Sequence, residues 1–179
     1  MEEVGKFQGY MSKIPPPILE ALGRKYIFFG HQSVGANIIE GIIDLKTIYP
    51  DLKLNIVEIR KDKSLPGIPS FAHSYVGRNT DPSSKILEFS SYIEKEKDKI
   101  QIAFLKLCYI DFNESTDVKA VFEDYKISIK KLKLKYPNII FVHFTVPLTT
   151  SRPTLKYMIK RMIGMKDFNY QANVLRNSY

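Results

Sequence analysis

The sequence predicts an α/β fold built on a parallel sheet, and three observations predict it. Strand-like and helix-like segments alternate four times along the chain. Two of the apolar runs, IQIAFLKLCYI and NIIFVHFTVPL, are nearly continuous, as in strands covered on both faces. Strand–helix–strand units of this kind close as right-handed crossovers, which places helices on both sides of the sheet.

The elements follow in order. Pro15, Pro16 and Pro17 lead into ILEALGR, a short helix stopped near Gly23, and KYIFF is a buried strand that ends at Gly30. In ANIIEGIIDLKTIY, residues Ile38, Ile39, Ile42, Ile43 and Leu45 share one helical side, and Pro50 closes the helix. LKLNIVEIR alternates at Leu52, Leu54 and Ile56, the pattern of a half-exposed edge strand. Residues 61–83 read as a long loop rich in Pro, Gly and Ser, a kind of loop that is usually functional or mobile. Ser83 or Ser84 is expected to cap the next helix, SKILEFSSYIEKEKDK, with Ile86, Phe89 and Ile93 inward.

After the central strand IQIAFLKLCYI, residues Val118, Val121, Phe122, Tyr125, Ile129, Leu132 and Tyr136 mark the cleanest helix of the chain. NIIFVHFTVPL is a further buried strand, ended by Pro147. LKYMIKRMIGM reads as a helix stopped near Gly164, and another begins around Tyr170. The domain reading is a helical lead-in over residues 1–24 and one α/β domain over 25–179, because 179 residues suffice for one good core.

The net charge of +8 is local. Residues 1–116 balance fifteen Lys/Arg against fifteen Asp/Glu, whereas residues 117–179 hold twelve against four. Much of the excess falls on KAVFEDYKISIKKLKLK as the solvated face of a helix. A nucleic-acid partner is not expected, because no aromatic residues or Gly-rich loops interleave with the charge. No stretch is long and apolar enough for a membrane helix, and MEEVGKFQGYMSKIPPP lacks the basic start and apolar core of a signal peptide. A soluble chain is expected, with its compartment left open. Cys108 is the only cysteine, so no internal disulfide forms, and its apolar run predicts a buried, inert thiol. Three scattered histidines and one cysteine give no metal-ligand spacing, and no cofactor is expected.

Ligands of parallel sheets bind at the carboxyl ends of the strands. That directs attention to GHQSVG, the 61–83 loop, DFNES and residues 145–150. Ser33 follows the first strand at a helix start, where free backbone N–H groups surround its hydroxyl. Such donors stabilise the oxyanion formed when a serine attacks an ester carbonyl. A serine at that place is also the commonest kind of helix cap.

The run FFGHQSVGANI, followed by GRNTDPSSKI, LCYIDFN and HFTVPLT, resembles the SGNH/GDSL hydrolase-like superfamily. It looks like a bacterial branch with GHQSVG where typical members carry a GDS block, and the resemblance spans roughly residues 14–179. It implies a three-layer α/β/α sandwich with a flavodoxin-like sheet, Ser33 as nucleophile, and an oxyanion N–H from Gly77. An asparagine donor is implied by the third block. There Asp111 can only accept hydrogen bonds when ionised, so Asn113 is the expected donor and Asn79 the second candidate. The family takes its catalytic His from a C-terminal Asp-x-x-His block, and no Asp of this chain has His three positions on. Of the three histidines, His31 is expected to line the site, His143 to lie in the core, and His73 alone to be free enough to reach Ser33.

The missing block suggests a truncated C-terminus, which leaves NIIFVHFTV as a sheet edge open to self-association. The expected function is therefore a serine hydrolase-like domain acting on a carboxylic ester, including an acylated carbohydrate, and feeble for want of its base. The alternative is a non-catalytic binding or assembly module that retains the fold.

Overall fold

YIFFGH is apolar on both sides of the strand because it forms the middle of the sheet. In the computed structural model, which describes residues 13–60, 62–113 and 115–147, this run is β1 (Tyr26–His31). The described residues open with helix α1 (Pro16–Gly23), whose first turn takes the prolines that need no N–H there. After β1 come α2 (Ser33–Ile48), β2 (Ile56–Glu58), β3 (Ser70–Tyr75), α3 (Pro82–Lys95) and β4 (Ile102–Leu105). A 3₁₀ turn (Tyr109–Asp111), α4 (Val118–Lys135) and β5 (Ile140–His143) complete the described chain.

All strand pairs are parallel, in the order β2-β3-β1-β4-β5. Setting aside the three-residue edge strand β2, the other four run as second, first, third and fourth in chain order. That is the flavodoxin-like arrangement, and the fold is a three-layer α/β/α sandwich.

Alternation along each strand separates two cores. Phe28, Ala72, Ala103, Leu105 and Phe141 face α3 and α4, meeting Ile86, Phe89, Ile93, Ile129 and Leu132. Ile27, Phe29 and Phe71 face the other way, against Leu19 of α1 and Ile39 of α2. The stacked pair Phe28–Tyr92, with ring centroids 4.2 Å apart, anchors the first core.

Several expectations are corrected. The 61–83 segment is not one loop: SFAHSY forms β3, which pairs with β1 and β2 and is buried along most of its length. Its signal was masked because its inward residues on the α3 side are Ala72 and Ser74, too small to register as an apolar run, between Pro69 and Gly77. Among the described residues the strands accordingly number five. LKLNIVEIR pairs only over Ile56–Glu58 at the sheet edge; Leu52 and Leu54 are buried without joining the ladder. Asp81, rather than Ser83 or Ser84, caps α3, its carboxylate accepting from the Ser84 N–H at 3.0 Å, with Pro82 in the first turn.

β5 is less buried than its sequence predicts. Phe141 is buried, whereas Ile140 is 62% exposed and Val142 and Phe144 are also exposed. Among the described residues β5 pairs with β4 alone, and α1 and α2 pack over the β1–β3 side of that face. The two helices expected after residue 150 lie outside the described residues.

The facing of α3 gives a direct test. Phe89 is fully buried and Leu87, two positions earlier, is 70% exposed. Phe89→Ala should cost about 3–5 kcal/mol, and Leu87→Ala less than about 0.5 kcal/mol, read from urea unfolding midpoints.

Candidate functional site

The carboxyl end of β1 is the point where the connections diverge. β1 continues into α2 on one face, whereas its neighbours β3 and β4 continue into α3 and α4 on the other. Such a divergence opens a crevice above the central strand. Ser33 stands there as the first residue of α2, exposed, and among the described residues no hydrogen bond holds its hydroxyl. The residue before it, Gln32, makes no side-chain cap. Its amide nitrogen instead donates to the Val76 and Gly77 carbonyls, both at 2.9 Å, and clasps the turn after β1 to the turn after β3.

Gly77 therefore lies on the same edge of the sheet as Ser33. Its φ of +60° and the closeness of the Lys85 backbone, which a Cβ would overlap, both require glycine. Its N–H is engaged in this structure, donating to Glu88 Oε2 at 3.1 Å. Asn79 is exposed, and its Oδ1 accepts from Lys85 Nζ at 3.1 Å, which turns its NH₂ away from the ammonium. Asn113 does not join this group: its Oδ1 accepts from the Ser115 N–H and hydroxyl, at 2.9 and 2.6 Å, and organises a local turn.

Beneath the site runs a buried ionic clip. Lys85 Nζ lies 2.7 Å from both Asp111 oxygens, and both side chains are fully buried. Asp111 also accepts from the Thr80 N–H at 2.9 Å and the Cys108 N–H at 2.8 Å. One carboxylate thus ties together α3, the turn after β3 and the turn after β4, and every bond it makes is one it accepts. Thr80 is held at φ +68° by this contact. Cys108 is buried, as its sequence predicts.

The histidines are placed differently from the sequence expectation. His73 is not in a loop but on β3, buried, with Nδ1 3.0 Å from His31 Nε2. His31 Nδ1 faces the Gln32 carbonyl at 2.9 Å. A carbonyl only accepts, so His31 donates from Nδ1, takes the His73 Nδ1–H at Nε2, and leaves His73 Nε2 as the sole open acceptor. The pair is sealed under α2, where a Cβ on Gly35 would fall within the His31 ring. Phe29 and Tyr75 flank that ring, with centroids 4.8 and 4.9 Å away. Burial holds both imidazoles below their ordinary value, and for His73 the neighbouring His31 pushes the same way. Glu58, in register with His73 across β2 and β3, opposes this.

His143 is exposed on β5, not a core residue; Tyr125 Oη and Lys133 Nζ occupy its two nitrogens at 2.8 and 3.1 Å. No hydrogen bond joins Ser33 to any of the three.

Lys106 is a residue that sequence reasoning missed. Its N–H donates to the Gly30 carbonyl at 2.9 Å, which sets it beside β1 at the crevice. The side chain is buried with only 7% of the residue exposed; Nζ donates to the Thr145 carbonyl and sits 5.4 Å from the Phe144 ring centre. No carboxylate pairs with it among the described residues, and burial lowers its pKa. The only sequence signal was one lysine within the apolar run LKLC. Among the described residues no group of three or more His, Cys, Asp or Glu could hold a metal. No helix there is long and apolar enough to cross a membrane. No protein-family model, curated protein or solved structure matches the chain.

Two outcomes follow from these buried groups. Lys85→Met should cost about 3–5 kcal/mol, because Asp111 is left buried and unpaired, and Lys85→Met with Asp111→Leu should recover much of it. The histidine pair sets an acid limit. Below about pH 6.5 the unfolded chain binds protons that the folded pair refuses, so stability falls as pH drops through that value and is retained above it. The urea midpoint should therefore fall between pH 7.5 and 5.5, and fall less in His73→Gln.

Proposed function

We propose that the chain is an SGNH-like serine hydrolase domain, with Ser33 as nucleophile toward a carboxylic ester, including an O-acyl carbohydrate. The observation that carries this reading is the free Ser33 hydroxyl at the uncapped start of a sixteen-residue helix, above the central strand. Attack by Oγ places negative charge on the former carbonyl oxygen. The N–H groups of Ser33 and Val34 at the start of α2 and the Asn79 NH₂ are the donors suited to receive it, the Gly35 N–H being bonded to the Gln32 carbonyl. Lys106, buried on the α2 side of the sheet without a carboxylate partner among the described residues, favours negative charge built beside it.

The base is the weak part of this machinery. His31 spends its proton on a backbone carbonyl, and His73 delivers its own to His31. The one open nitrogen, His73 Nε2, belongs to a ring buried on β3. A serine hydroxyl without a base is a poor nucleophile, so turnover on this reading is slow and comes from the oxyanion donors. The second reading, a binding module on the same fold, is favoured by that same sequestration of the histidines.

Hydrolysis of p-nitrophenyl acetate separates the two. A slow reaction that exceeds the buffer rate and is abolished by Ser33→Ala is expected. Asn79→Ala should lower what remains by about tenfold or more, the loss of one oxyanion donor. A rate unchanged by Ser33→Ala would favour the binding module.

A further inference from the structure

On the far side of the sheet from α2, a groove of about 750 Å³ runs between α4 and the carboxyl ends of β4 and β5. Its volume falls within the range of small-molecule sites. The floor is apolar, formed by Leu105, Leu107, Phe112, Val121, Phe122 and Ile129 among others. The rim is cationic: Lys126, Lys130 and Lys133 line it, and among the described residues no Asp or Glu does. Lys126 is offset by Glu123 at 3.2 Å. Lys130 has no ion-pair partner among the described residues. Lys133 donates to His143 Nε2, a neutral ring that leaves the ammonium's charge uncompensated.

An apolar trough with two uncompensated ammonium groups at its lip selects an amphiphile whose single head is negative. We propose that this groove binds a free medium-chain fatty-acid anion, with its chain along the apolar floor and its carboxylate at Lys130 and Lys133. Residues 148–179 are poor competitors by charge, since they hold six Lys/Arg against one Asp. A nucleotide or sugar phosphate would leave the apolar floor unfilled. The inference does not depend on the ester reading, because Ser33 lies on the opposite side of the sheet.

Titration of the full chain with dodecanoate, followed by calorimetry, tests it. Saturable one-to-one binding is expected, at least tenfold tighter than octanoate, since each buried methylene contributes about fourfold. Lys130→Glu with Lys133→Glu, both at the exposed rim, should weaken dodecanoate at least tenfold while leaving dodecan-1-ol unchanged. Val121→Trp should block both ligands, and Ser33→Ala should alter neither. Absence of saturable dodecanoate binding, or equal binding by the charge-reversed variant, overturns the proposal. In the first case the groove is filled by the chain itself or by another macromolecule.

Discussion

The Asp111 carboxylate holds the upper edge of this molecule together. Parallel sheets leave their carboxyl-end turns without a ladder, so each needs a fastening of its own. Here one buried anion receives an ammonium and two backbone N–H groups from three separate segments. Thr80 is bonded by Asp111 itself, and Gly77 and the Asn79 amide both meet Lys85. A buried pair of this kind adds little stability over an apolar substitute, but losing one partner is costly. Its value lies in fixing one arrangement of turns.

Much of the architecture was legible in the sequence because the relevant signals are collective. β1, β4, α2 and α4 each have several apolar residues at one period, and no tertiary contact had to be known to find them. β3 was not legible because its inward side carries Ala72 and Ser74 under bulky neighbours, and small residues leave no periodic mark. β5 was over-read: Ile140 and Val142 have the composition of a covered strand, yet among the described residues nothing covers that side. A strand's composition reports the company it is suited to, not how much of that company is in view.

The candidate site was legible in outline and not in its connections. GHQSVG pointed to Ser33 at the head of a helix, and that is where it stands. What one-dimensional reasoning could not foresee is that His31 and His73, forty-two residues apart, spend their hydrogen-bonding capacity on each other and on a backbone carbonyl. Asp111 was recognised as an acceptor only, which its role as a clip bears out. Asn113 has a local role that the sequence did not announce, because a side-chain amide followed two residues later by Ser115 finds partners for its oxygen within its own turn.

The position of β1 has a consequence for synthesis. It leaves the ribosome before both of its neighbours, Ser70–Tyr75 and Ile102–Leu105. A nascent chain therefore carries YIFFGH without either flank until β3 has been made, and with one flank open until β4 follows. Long-range parallel pairing closes slowly because the intervening loop must be gathered first. During that interval the most apolar ribbon of the sheet is exposed to solvent and to neighbouring chains. The growing polypeptide thus carries an adhesive ribbon, and the time taken to translate residues 32–101 is a lower bound on how long it does so.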